Sequence, residues 1–187
     1  MKTKKILETL VLAACCTGSA QAAILPLQNA LITGTYNGQA AGMLGNDLNF
    51  GPNSNTTHLD PTNTGVEFLT SDDLFAFDFD ASGSVTVYAN MDIPAGAYQM
   101  RFDFGSSVPA ALSSFTLTDM GGNGGVPVLS LINAHTIQFD LGNVSWNGAF
   151  SSFSAQIGTV PEPGSITLLL GGLAGLALVR RPRATRS

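Results

Sequence analysis

The sequence predicts an all-β protein whose body folds as a single antiparallel β-sandwich of jelly-roll or immunoglobulin-like type. Three observations support this prediction. Apolar and polar residues alternate with a period of two along most of residues 23–159, turn residues interrupt the alternation at short intervals, and no apolar pattern of helical period occurs there. Because alternation with one apolar face is typical of a half-buried strand, many short strands packed as two sheets are expected.

The three clearest strands are rich in aromatic residues on one face. They are "LFAFDFD" at 74–80, "AYQMRFDFG" at 97–105 and "HTIQFDLG" at 135–142. Weaker alternation predicts further strands near residues 30–36, 66–70, 84–90, 113–119, 126–132 and 149–157. Gly, Asn, Pro and Ser predict turns between them at 81–84, 94–96, 121–125 and 146–148.

Residues 37–65 differ from the rest of the domain. They are rich in Asn, Gly, Thr and Pro and poor in apolar residues. This composition predicts long loops over one end of the sandwich, and loops of such length are often functional or else disordered.

The N-terminal segment has the pattern of an export signal. Three lysines among the first five residues precede an apolar stretch from 6 to 16 and the small residues "AQA". We therefore expect residues 1–22 to form a signal helix that signal peptidase removes by cutting between Ala22 and Ala23. An alternative remains, because "LAAC" at 12–15 resembles a lipobox and would leave Cys15 as a lipidated N-terminus. Cleavage after Ala22 would leave a mature protein without cysteine.

The C-terminal segment has the pattern of a short membrane anchor. Residues 164–179 carry no charge and are mostly apolar, and a basic cluster at 180–186 follows, led by Arg180, Arg181 and Arg183. A helix of this length spans about 24 Å, and arginines can extend from its end to the membrane interface. Since basic residues beside a membrane helix stay in the cytoplasm, the predicted topology places the body of the protein outside it, tethered to the inner membrane.

Between body and anchor lies the peptide "VPEP", which Pro161 and Pro163 hold extended on either side of Glu162. This triplet, the short apolar stretch and the arginines occur in the order of the PEP-CTERM sorting tail of Gram-negative bacteria, which residues 160–187 resemble. Tails of this type also go under the name ice-binding protein C-terminal domain. The resemblance implies recognition by exosortase, cleavage near the triplet, and passage to the cell surface or extracellular polysaccharide. It covers only the tail.

The charge of the body limits its partners. Residues 23–159 contain ten Asp and one Glu but a single basic residue, Arg101, whereas the whole chain has a formal charge of −5. So acidic a domain is not expected to bind nucleic acid. The resemblance implies an exported protein linked to exopolysaccharide and biofilm, and we expect its role there to be structural or interactive.

Catalysis is not expected, and no cofactor motif is present. Residues 23–159 contain no nucleophile elbow, zinc-protease, phosphate-loop or dinucleotide motif. His58 and Asp60 could form a base and its orienting carboxylate, but two loop residues at this spacing fix no geometry. A secreted hydrolase is therefore the least favoured alternative.

Two binding alternatives remain open. "DFDASG" places Asp78 and Asp80 as in a calcium-binding loop, but the twelfth position, which should be Glu, is Ala89. The weak calcium candidates also include Asp47, Asp60, Asp72, Asp73 and Ser82. Exposed aromatic residues could stack on a sugar ring, and Trp146 in the turn "SWNG" is the main candidate, with Tyr36 and Tyr88 beside it. Ice binding is not expected, because "ITGT" and "TLT" form no repeating array of threonines.

Overall fold

The structure is a computed structural model that describes residues 26–60, 62 and 64–160. In these residues the chain forms thirteen strands and three single-turn 3-10 helices, with no α-helix. The strands are, in chain order, β1 (Leu31–Tyr36), β2 (Met43–Gly45), β3 (Thr56–His58), β4 (Phe68–Thr70), β5 (Phe75–Phe79), β6 (Ser84–Ala89), β7 (Gln99–Asp103), β8 (Leu112–Asp119), β9 (Gly124–Gly125), β10 (Val128–Asn133), β11 (Thr136–Asp140), β12 (Val144–Ser145) and β13 (Ser152–Thr159). The 3-10 helices are Ala40–Gly42, Leu48–Phe50 and Gly105–Ser107.

The strands form two large sheets and one small ribbon, and every recorded pairing is antiparallel. One sheet has the order β10-β11-β7-β1-β3, the other has the order β2-β4-β5-β6-β13-β8, and β12 pairs with β9. The prediction of an all-β protein built from antiparallel sheets is therefore confirmed.

Aromatic side chains from both large sheets meet in one core. Phe102 on β7 and Phe139 on β11 each contact three rings of the facing sheet, and Phe77 is common to both sets. All the phenylalanines of β5 are fully buried, as the alternation of "FAFDF" predicts. The sheets therefore lie face to face, each with its apolar side inward. The ring contacts of Phe102 are with Phe68, Phe77 and Phe79, and those of Phe139 are with Phe77, Phe115 and Phe153.

The nine strands predicted from alternation are all present, with shifts of up to three residues at their ends. The prediction for 37–65 was wrong in part, because this stretch contributes strand β2 to one sheet and strand β3 to the other. These strands have three residues each, too few to show a period of two. The turn predicted at 121–125 likewise contains strand β9.

Both ends of the described chain lie at the same end of the molecule, called here the chain-end pole. The amide of Leu27 donates to the carbonyl of Ala81 in the β5–β6 turn, and Val160 donates to Ala111 at the start of β8. The β5–β6 turn also bonds to the last residues of β13 through Gly83 and Ile157. The opposite end, the distal pole, carries the turns around residues 71–74 and 147–151.

The predicted signal helix and transmembrane helix lie outside the described residues. Across 26–160, apart from 61 and 63, no helix has the length and hydropathy needed to cross a bilayer.

Candidate ligand-binding groove at the chain-end pole

An open groove of about 380 Å³ lies at the chain-end pole, on the side where β2 and β3 form the edges of their sheets. The two edges are held together there, because the amide of Gly45 on β2 donates to Ser54 just before β3 at 2.7 Å. Polar and ionisable side chains dominate the lining, which consists of Asn46, Asp47, Thr57, His58, Leu59, Asp60, Gly65, Val66 and Glu67.

His58 and Asp47 form a hydrogen-bonded pair in the groove. His58 Nδ1 lies 2.9 Å from Asp47 Oδ2. Hydrogen bonds from the Asn49 amide and from His58 hold the pKa of Asp47 below its usual range. Because an ionised carboxylate only accepts, the shared proton belongs to His58 Nδ1, which fixes the tautomer of the neutral ring. Asp47 is placed by the N-terminus of the 3-10 helix Leu48–Phe50, where it caps Asn49 at 2.9 Å.

Asp60 orders the loop that follows β3. Its carboxylate accepts hydrogen bonds from the amide and hydroxyl groups of both Thr62 and Thr64, over distances of 2.6 to 3.2 Å. These donors, led by the Thr62 hydroxyl, lower the pKa of Asp60 to about 2. Asp60 is therefore ionised above mildly acidic pH and gives the groove a second negative charge in addition to that of Asp47.

Glu67 lies at the base of the groove and is only 2% exposed. One carboxyl oxygen accepts from the Asp60 amide at 3.1 Å, and the other accepts from the Phe79 amide at 2.6 Å. Burial raises the pKa of Glu67 to about 7, against the opposing effect of these two amides, and the negative charge of Asp78 adds to the increase. Glu67 therefore connects the loop after β3 to the end of β5, and keeping its buried carboxyl group ionised there costs free energy.

The groove combines carboxylate side chains with a histidine and an adjoining aromatic ring. The rings of Phe50 and His58 lie 4.9 Å apart at 45° and form what we call the aromatic wall, in which His58 lines the groove and Phe50 adjoins it. No serine or cysteine is among the described lining residues, and the only hydroxyl there, that of Thr57, donates to the His58 carbonyl. No group of three or more His, Cys, Asp or Glu side chains among residues 26–60, 62 and 64–160 is arranged to hold a metal ion.

The structure brings together several residues that sequence analysis had treated separately. His58 and Asp60 both line the groove, but His58 pairs with Asp47 and not with Asp60. This pairing spans eleven positions and depends on the edges of two different sheets, so neighbouring sequence could not indicate it. Sequence analysis also missed Glu67 and Phe50. The one available signal was that the only Glu of residues 23–159 lies within the apolar stretch "VEFL".

Trp146, the main candidate for stacking on a sugar ring, packs partly against the core. Its indole packs against Phe75 and Phe153, with ring centroids 5.6 and 5.7 Å apart, and it is only partly exposed. A turn can therefore place a large side chain against the core. Tyr36 is also buried, and its hydroxyl donates to Asp72 at 2.9 Å. Tyr88 is half-buried on the outer face of its sheet.

Asp78 and Asp80 occupy the end of β5 and the turn that follows it. Asp80 accepts from the Ser82 amide, and its carbonyl accepts from Gly83, so it forms part of the β5–β6 turn. The bonds from Ser82 lower the pKa of Asp80, whereas burial raises that of Asp78. This geometry is that of a hairpin turn.

Comparison with known proteins matches residues 159–184 to the PEP-CTERM protein-sorting motif. No curated protein and no solved structure matches the chain. The sorting residues Pro161, Glu162 and Pro163, the arginines 180, 181 and 183, and the cleavage pair Ala22 and Ala23 lie outside the described residues. The matched segment begins at the last residue of β13, so the chain carries a PEP-CTERM protein-sorting motif directly behind its β domain, and this motif implies an exported protein that exosortase processes.

Proposed function

We propose that this chain is the precursor of a cell-surface or extracellular-matrix protein of a Gram-negative bacterium. Signal peptidase releases it between Ala22 and Ala23, and residues 164–179 hold it briefly in the inner membrane. Exosortase then cuts near Pro161–Pro163. The mature β-sandwich, of jelly-roll or immunoglobulin-like type, takes a structural or interaction role in exopolysaccharide and biofilm and is not an enzyme.

One observation carries this proposal: the sorting motif follows the folded domain without a further domain in between.

Intact-mass analysis of membrane and extracellular fractions from the native host tests the proposal. We expect an extracellular species that begins at Ala23 and ends near the Pro-Glu-Pro triplet. A membrane species that keeps Arg186 would show a permanent anchor and overturn processing by exosortase. A lipid mass on Cys15 would overturn the predicted N-terminus.

A second candidate function is the binding of polysaccharide in the groove at the chain-end pole. The aromatic wall formed by Phe50 and His58 offers a surface on which a sugar ring can lie, and Asn46 and Asp47 place hydrogen-bonding groups beside it. Aromatic faces with a few polar groups are the usual composition of such sites. A calcium-stabilised adhesive module is the remaining alternative, and it predicts a higher melting temperature when Ca²⁺ is added.

Affinity electrophoresis of the secreted protein in gels containing the host's own polysaccharide tests the binding candidate. We expect Phe50→Ala and Asp47→Asn to abolish retardation. Phe150→Ala is the matched control, because Phe150 is exposed at the distal pole. Equal retardation of all variants, or none for the unmodified protein, would contradict binding in this groove.

A further inference from the structure

The fold continues up to the residue that precedes the sorting triplet. Strand β13 pairs with β6 on one side and with β8 on the other, and Thr159 lies opposite Leu112 on β8. Val160 still donates its amide to the carbonyl of Ala111 at 2.8 Å. The next residue is Pro161, so the junction contains no spacer between the hydrogen-bonded fold and the triplet.

This junction limits how far the triplet can lie from the domain. Only residues 161–163 separate Val160 from the uncharged stretch that begins at Gly164. Even fully extended, four residues span at most about 14 Å. While the tail is in the membrane, any enzyme that reaches the triplet must therefore work within a few side-chain lengths of the folded domain.

The chain segments beside the junction contain no charged side chain, although the domain is strongly acidic and Arg101 and Asp103 border these segments on one side. We call this surface the junction patch, which consists of residues 105–111, residues 132–134 and Val160. It contains no Asp, Glu, Lys or Arg. Its parts are in contact, because Ala111 accepts from Val160 and Ala134 accepts from Leu112. Val160 and Ile132 are 48% and 44% exposed, so the patch has apolar side chains at its surface, of which Ile132 lies at the border with Arg101 and Asp103.

We propose that the junction patch is a docking surface for exosortase itself. The inference rests on the proposed processing of the tail and adds that the enzyme recognises the folded domain together with the triplet. Its occupant is the part of the enzyme that surrounds the bound triplet on the exported side of the membrane. An uncharged, partly apolar patch fits a protein surface, since interface centres are depleted in charged residues.

A bulky substitution in the patch tests this proposal in the full-length chain in its native host. Ala134 is exposed in the β10–β11 turn within the patch, and Ala149 is exposed in a turn at the distal pole. We expect Ala134→Trp to slow the appearance of the cleaved form by about tenfold, as the loss of one interface contact can do, and Ala149→Trp to leave it unchanged. Pulse labelling followed by intact-mass analysis measures both rates.

Inserting a spacer distinguishes the loss of docking from a general folding or export defect of the Ala134→Trp variant. A flexible Gly-Ser insertion of about 12 residues between Val160 and Pro161 moves the patch away from the enzyme by roughly 20 Å. We expect Ala134→Trp and the unmodified domain to be cleaved at equal rates in this background. If Ala134→Trp is still cleaved slowly when the spacer is present, the variant is misfolded or misexported. The test is then repeated with Ser106→Trp, because Ser106 is also exposed in the patch.

Cross-linking identifies the occupant. A photoreactive phenylalanine at position 134 should give an adduct with exosortase, and the same group at position 149 should not. Adducts with lipid alone at position 134, or equal cleavage of the Ala134→Trp and Ala149→Trp proteins, would overturn the docking proposal. Failure of the proposed function is distinguishable, because the tail would then remain on every variant, including the unmodified chain.

Discussion

Replacing Glu67 by Gln should change how the stability of the domain depends on pH. Glu67 is the only described acid that is almost completely buried, and its carboxyl oxygens accept the amides of Asp60 and Phe79. Glutamine keeps the shape of the side chain but removes the ionisation. Its NH₂ group cannot accept, so one of the two hydrogen bonds is lost at every pH, at a cost of about 1 kcal/mol.

The size of the pH effect follows from the raised pKa. Burial lifts the pKa of Glu67 from its ordinary value of 4.5 to about 7 in the folded protein. The folded state therefore binds this proton more tightly than the unfolded state does. The resulting stability is fully present below about pH 4.5 and is lost as the pH rises to about 7 and beyond. At 1.36 kcal/mol per pKa unit, the loss is at most about 3 kcal/mol, of which about 2 falls between pH 5 and pH 8.

Urea unfolding of the unmodified and Glu67→Gln proteins at about pH 5 and about pH 8 measures this effect. We expect the difference in free energy of unfolding between the two proteins to move by about 2 kcal/mol in favour of Glu67→Gln as the pH rises. Asp92→Asn, which removes one exposed surface charge, is the control. A difference that stays constant with pH would show that Glu67 has an ordinary pKa and would refute the reasoning.

Substitutions at three further positions test the packing and the backbone strain. Phe102→Ala should lower the free energy of unfolding by about 3 to 5 kcal/mol, since its ring joins the two sheets, and a loss below about 1 kcal/mol in urea unfolding would contradict that role. Trp146→Ala should cost about 2 kcal/mol or more in the same assay and leave polysaccharide retardation unchanged, whereas the reverse outcome would restore Trp146 as a ligand contact. Phe150 is 81% exposed and has a φ of 63°, a backbone conformation that favours glycine. Phe150→Gly should therefore raise the free energy of unfolding by roughly 0.5 kcal/mol, whereas Phe150→Ala keeps the strained backbone and should not. Equal melting temperatures for the two variants would argue against strain at this position.

The extent of successful prediction differs between the fold and the groove. Strands such as β5 and β11 could be predicted because each residue's side of the sheet is set by its position in the alternation. Strands β2 and β3 could not, because three residues carry no period and their pairing depends on which sheet edge lies nearby. The groove is built by these two short strands and the loops beside them, so its geometry could not be predicted from the local sequence pattern either.

The sequence by itself determined the β class of the domain, its acidity and the sorting motif, because each depends on residue type and order within a short stretch. The tertiary structure alone decided three other features: Trp146 packs on the core, His58 pairs with Asp47, and Glu67 is buried with a raised pKa. Burial and electrostatic environment depend on residues that are distant in sequence and become neighbours only when the two sheets pack together. The same holds for the junction patch, which joins the end of β13 to two segments from elsewhere in the chain.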